Sequence, residues 1–115
     1  MILSAEALGD ALIVHIGEER IDAAIAIRFK DRMREVTIQP APRVILDMSR
    51  VTFLDSSGLG ALVAVMKFLA PARRLELASL RPNVQKVLNL TRMDTVFRIY
   101  PDISSAVSEG LRNAG

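Results

Sequence analysis

The spacing of apolar positions changes along the chain, and each change marks an element. Ile2 to Leu8 and Asp10 to Gly17 read as two short strands around Gly9-Asp10, a dipeptide that favours a hairpin turn between apolar runs. From Asp22 the spacing becomes helical: Ile25, Phe29, Met33 and Val36 share one face, Arg28, Asp31, Arg32 and Glu35 fall mainly elsewhere, and Asp22 is suited to cap the helix. Pro40 and Pro42 end that region. Val44-Ile45-Leu46 is a continuous apolar triplet of the kind found in strands buried on both faces, and is expected to be the central strand.

After the loop Asp47 to Leu54, Asp55 or Ser56 can cap a second helix that runs to about Ala70, where Pro71 stops it. Its expected inward stripe is Leu59, Leu62, Val63, Met66 and Ala70. Ala61, Ala64, Val65 and Phe68 make the remainder apolar too, leaving Lys67 as its only charge. Leu75 to Ala78 alternates as a strand, and Pro82 suits the first turn of a third helix with Val84, Val87 and Leu88 inward. Val96 to Tyr100 reads as a last strand. Asp102 then caps a fourth helix carrying Ile103, Ala106, Val107 and Leu111 on one side.

This order, ββαβαβαβα, predicts an α/β fold: a mixed central sheet, built from an N-terminal hairpin plus parallel strands joined by right-handed crossovers, with about four packed helices. No repeat, low-complexity stretch or long linker interrupts it, so residues 1–115 are expected to form one domain.

Composition narrows the function. The formal charge of +2, from 15 basic against 13 acidic residues, is too balanced to suggest nucleic acid or anionic lipid as the main partner. The absence of cysteine excludes disulfides, thiol catalysis and cysteine zinc sites, and fits a reducing cytoplasm. The N-terminus has no signal-peptide pattern, and Leu59 to Met66, the longest nearly uncharged stretch, is far short of the roughly 20 residues that span a bilayer. A cytoplasmic protein without membrane contact is expected.

Candidate chemistry is sparse. His15, the only histidine, lies in a predicted strand, where a surface or hydrogen-bonded residue is expected rather than a catalytic one. No carboxylate cluster suggests a metal, no Gly-x-Ser-x-Gly surrounds Ser57, and no phosphate-binding loop occurs, so no catalytic residue, metal or cofactor is assigned.

The informative run is Val44 to Gly60, a buried strand leading through a loop into the helix start Asp55-Ser56-Ser57-Gly58-Leu59-Gly60. Because first-turn amides lack intrahelical acceptors, Asp55, Ser56 and Ser57 are explained by capping alone. Gly58 and Gly60 are not, since each costs roughly 1 kcal/mol in a helix relative to alanine. Their bare backbone admits either another molecule approaching Ser57 or a tightly packed neighbouring loop.

These residues resemble the STAS domain, and within it the anti-sigma factor antagonists (anti-anti-sigma factors) of bacterial partner-switching systems. The resemblance covers nearly the whole chain. It is most specific over Val44 to Gly60, with Asp47 ending the strand, and is supported by Gly17-Glu18, Asp22 and Leu90-Thr91-Arg92-Met93-Asp94. It implies that Ser57 is phosphorylated by an ATP-dependent anti-sigma factor kinase, that the unphosphorylated protein binds the same anti-sigma factor and so frees its sigma factor, and that a phosphatase resets the switch. It also implies a partner surface formed by Asp22, Ser56, Ser57, Leu59 and Gly60, with Asp55 and Gly58 in the same run. The sequence departs from the family in one place. Where the family has glycine, an acidic residue, an aliphatic residue and aspartate in succession, Glu18-Glu19-Arg20-Ile21 here separates Gly17 from Asp22. Two alternatives stand beside this reading: a constitutive STAS adaptor or scaffold in a lipid-transport or stress-sensing complex, and a sensor of small anionic ligands at the same helix start.

Overall fold

The computed structural model of the protein describes residues 1–114, with side chains through Gly110. Strands β1 (Leu3–Leu8) and β2 (Ala11–Ile16) form the expected hairpin, turning at Gly9, whose φ of +61° a side chain would strain. Helix α1 (Ala26–Val36) leads to β4 (Arg43–Asp47), α2 (Ser56–Leu69) to β6 (Arg74–Ala78), and α3 (Pro82–Leu90) through a 3-10 turn to β7 (Arg98–Tyr100). Helix α4 (Ile103–Ala114) closes the chain; the side chain of Leu111, expected on its inward face, lies outside the described residues. The sheet order is β1-β2-β4-β6-β7, antiparallel only between β1 and β2, with β4 in the centre as its apolar triplet predicted.

Alternation along the strands sorts two cores. On one face Leu12, Val14, Leu46 and Leu77 pack against Phe29 and Met33 of α1, Leu62 and Val65 of α2, and Val84 and Leu88 of α3. On the other, Ala11, Ile13, Ile45, Ala78 and Tyr100 pack against Ala106 of α4. Under α4 lies a buried ion network. The Arg43 guanidinium, 3% exposed, donates to Glu76, 1% exposed, at 2.7 Å from Nη2, to Asp10 at 3.1 Å and to the Ala106 carbonyl at 2.8 Å. Burial opposes the charge on Arg43, but the Glu76 and Asp10 carboxylates outweigh it and raise its pKa further above the usual arginine range.

Four expectations are corrected. Asp22 does not cap α1: its Oδ1 accepts the Ala24 amide at 3.1 Å in a local turn, and α1 begins after Ile25 with no side-chain cap. The side chain thus satisfies the backbone one turn too early to reach the helix. The buried stripe of α2 is Gly58, Ala61, Leu62, Val65 and Leu69, whereas Leu59, Val63 and Met66 are half-buried and Ala70 is exposed. A helix apolar on all sides carries little phase information, and Gly58 settles the phase by packing. The last strand starts at Arg98, because residues 93–95 form the 3-10 turn. Finally, the loop from Asp47 to Leu54 contains β5 (Phe53–Leu54), which pairs in parallel with β3 (Arg20–Ile21) from the loop after β2.

Candidate functional site

That two-residue pairing organises the corner of the molecule holding Ser57. Ile21, flanked by Arg20 and Asp22, and Leu54, beside the exposed Phe53, are both buried, so hydrophobic burial pulls the two loops together. The amides of Thr52 and Phe53 both donate to the Glu19 carbonyl, at 2.8 and 3.2 Å, and the exposed Arg20 guanidinium stacks 3.9 Å from the Phe53 ring centroid.

Asp55 is the cap of α2. Its backbone is extended (φ −98°, ψ −175°), its Oδ1 accepts the Gly58 amide at 2.8 Å, and its Oδ2 accepts the Ala23 amide at 3.2 Å. One carboxylate therefore ties the helix start to the loop bearing Asp22. Asp22 uses its other oxygen to accept from Arg20 Nε at 3.2 Å, and its carbonyl accepts the amides of Ile25 and Ala26.

The two glycines divide the alternatives left open by the sequence. A Cβ on Gly58 would overlap the Ile21 carbonyl oxygen and lie 2.8 Å from the Ile21 carbonyl carbon and the Leu54 side chain, so this glycine exists for close packing on β3. A Cβ on Gly60 would meet nothing within 4 Å. Its bare backbone has no internal explanation. Ser56 and Ser57 are exposed, between the capping aspartate and the packed glycine, while Leu59 is half-buried against the main core. The predicted residues Asp22, Asp55, Ser56, Ser57 and Gly58 thus meet at one corner, with Leu59 one step toward the core and Gly60 facing open space.

His15 lies apart from this corner. It shares the α4 face of the sheet with Ala11 and Ile13, opposite α2, and both ring nitrogens are held by carboxylates: Nδ1 by Asp47 at 2.6 Å and Nε2 by Glu6 at 2.9 Å. Two acceptors require two ring protons, and the hydrogen bonds to Glu6 and then Asp47 raise the histidine pKa above its usual value. Burial opposes ionisation of Asp47, but the bonds from His15 and from Ser49 outweigh it and hold that carboxyl below its usual range. Among the described residues no group of three or more His, Cys, Asp or Glu side chains could hold a metal, and no helix is long and apolar enough to cross a membrane.

The contacts of Arg20, Phe53 and Ala23 at this corner escaped the sequence reading. Their only signal was the apolar Ile21 between Arg20 and Asp22 and the apolar pair Phe53-Leu54 just before Asp55.

The STAS domain family matches residues 3–106, which is most of the chain. The protein belongs to the STAS family. A STAS-domain containing protein of Pseudomonas aeruginosa is 30% identical over 92 residues, covering 79% of this chain and 89% of the relative. A Thermotoga maritima protein, provisionally named an anti-sigma factor antagonist, is 34% identical over 68 residues, 58% of this chain and 60% of that one. Among solved structures, the anti-sigma factor antagonist SpoIIAA in its unphosphorylated form superposes with a TM-score of 0.74 at 21% identity, covering 97% of each chain. The Bacillus protein is also solved phosphorylated, with a TM-score of 0.66 at 20% identity, covering 94% of this chain and 98% of that one. These likenesses establish a STAS fold, which among the described residues is a five-stranded mixed sheet with four helices beside the two-stranded β3–β5 pair.

Proposed function

We propose that this STAS protein is an anti-sigma factor antagonist of a bacterial partner-switching system. In its unphosphorylated form it binds a cytoplasmic anti-sigma factor that is also its serine kinase, and releases the sigma factor. Phosphorylation of Ser57 ends that binding, and a phosphatase restores it. The protein acts by binding, without catalysis of its own, and Asp22, Asp55, Ser56, Ser57, Gly58, Leu59 and Gly60 form or support the contact surface.

The observation that carries this reading is the exposed Ser57 hydroxyl on the first turn of α2, beside an open Gly60. Asp55 already satisfies the Gly58 amide, so the fold does not depend on Ser57 as its cap. A phosphate there gains roughly 0.3 to 1 kcal/mol from the helix dipole, which leaves the domain folded. Toward a partner the sign reverses. A dianion of about −1.5 to −2 charges, added beside Asp22 and Asp55, costs several kcal/mol in an interface that offers it no cation, and each 1.4 kcal/mol is about a tenfold loss of affinity.

The test is to incubate the protein with ATP and its candidate kinase, map the phosphosite by mass spectrometry with Ser57→Ala as control, and measure binding by calorimetry. Ser57→Asp is expected to keep the melting temperature nearly unchanged and to lose binding. A large loss of stability with binding retained, or no phosphate on Ser57, overturns the switch and leaves a constitutive STAS adaptor that binds regardless of ATP.

A further inference from the structure

The two edges of the sheet are built differently. Edge strands present unpaired amides and carbonyls to solvent, and proteins blunt them with short strands, basic residues, proline or bulges. The β7 edge has these protections: it is three residues long, begins with Arg98 and is followed by Pro101. The β1 edge has none. Its six residues run in unbroken one-to-one register with β2, contain no proline, lysine or arginine, and are exposed from Ser4 to Leu8. The one charge on it, Glu6, is already held by His15. At its ends stand Ile2, 70% exposed, and Leu8, 40% exposed.

We propose that this edge is a homotypic docking surface, on which a second copy of the chain pairs its β1 antiparallel about a two-fold axis through Ala5, joining the two sheets. An antiparallel two-fold perpendicular to the sheet sets residues of the same face opposite each other, so only a few registers are allowed. With the axis at Ala5, Ser4 opposes Glu6 of the second copy, Leu3 opposes Ala7, and Ile2 opposes Leu8. No like charges stand directly opposite, since the two Glu6 carboxylates are offset diagonally and each is held by its own His15, and the two exposed apolar ends cover each other. An axis at Glu6 would set two carboxylates face to face, and an axis at Ser4 would leave Leu8 without an apolar partner.

The chain has no cysteine, which makes the register directly testable. Ala5→Cys places two thiols opposite each other on the axis, within the Cα separation of about 4.4 to 6.8 Å that a disulfide spans, whereas Ser4→Cys offsets its two thiols along the strands beyond that reach. Mild oxidation is expected to convert Ala5→Cys to a covalent dimer and to leave Ser4→Cys monomeric. Sedimentation equilibrium of the unmodified chain, from micromolar to millimolar, is expected to show a species of twice the chain mass. Ala5→Lys should shift it to monomer with an unchanged circular dichroism spectrum. A wild-type monomer at every concentration, equal cross-linking of the two cysteine variants, or a dimer that persists in folded Ala5→Lys overturns the proposal.

Discussion

Two polar clusters lie at different levels of the fold and obey different rules. Beneath α4, Arg43 and Glu76 are sealed from water, and their donors and acceptors are engaged with each other, with Asp10 and with the Ala106 carbonyl. At the start of α2, Asp22 and Asp55 organise backbone amides, while the adjacent serine hydroxyls remain open to solvent. The first arrangement leaves nothing for another molecule to recognise. The second holds its backbone firmly and exposes its side chains, which is what a surface read by a partner requires. Polar residues alone do not mark a site; what marks it is which of their groups the fold leaves unused.

Removing a charge from the buried cluster should therefore cost the most. Arg43→Met leaves the buried Glu76 only the exposed Arg74 guanidinium, 3.1 Å away, and an expected loss of up to about 3 to 5 kcal/mol in urea unfolding follows from a buried charge deprived of its main cation. Adding Glu76→Leu to it should recover much of that loss, and a folded Arg43→Met fraction should still bind the partner.

The glycines sharpen the contrast. Alanine usually stabilises a helix by about 1 kcal/mol relative to glycine, yet Gly58→Ala must push Ile21 away and is expected to destabilise by about 1 to 3 kcal/mol. Gly60→Ala meets no obstacle, so it should raise the melting temperature while weakening partner affinity in calorimetry. Asp55→Ala comes next, with an expected loss of about 0.5 to 2 kcal/mol from the helix cap and faster amide exchange at Ala23 as the loop is released.

The smallest effect concerns pH. His15 has a raised pKa, so its contribution is fully present below the unfolded value near 6.5 and fades as pH rises through the folded value. Asp47 is lowered, so its contribution is present above about 4 and fades as pH falls through its folded value. Stability should thus show a plateau between about pH 4 and 6.5 that His15→Gln flattens. The half-exposed ring limits the amplitude to about 1 kcal/mol or less, measurable as melting temperature against pH.

Much of this was legible in the sequence because it was written in long or strongly patterned segments. The triplet Val44-Ile45-Leu46 identified the central strand, Gly9-Asp10 the hairpin, and Pro82 and Asp102 the starts of two helices. The pairing of β3 with β5 was not legible, because two residues on each side give no periodicity and their partners stand 33 positions apart in the chain. The phase of α2 was lost for the opposite reason: nearly every position is apolar, so no face stands out. At the corner of Ser57 the residue types were readable, but the division of labour was not. That Gly58 serves packing and Gly60 does not depends on where the Ile21 carbonyl sits, and only the folded backbone brings that atom into view.

The contact between Gly58 and Ile21 also bears on how fast and how selectively Ser57 can be recognised. A serine on a loose loop would have to lose backbone freedom of roughly 1 to 2 kcal/mol per residue each time a partner engaged it. Here the residue after Ser57 is wedged against a neighbouring strand and the residue two before it is tied to Ala23, so that ordering occurs once, during folding. In the complex proposed above, the hydroxyl would meet its partner already in place, and binding energy at this corner would go to discrimination among partners instead of to restraint of the chain.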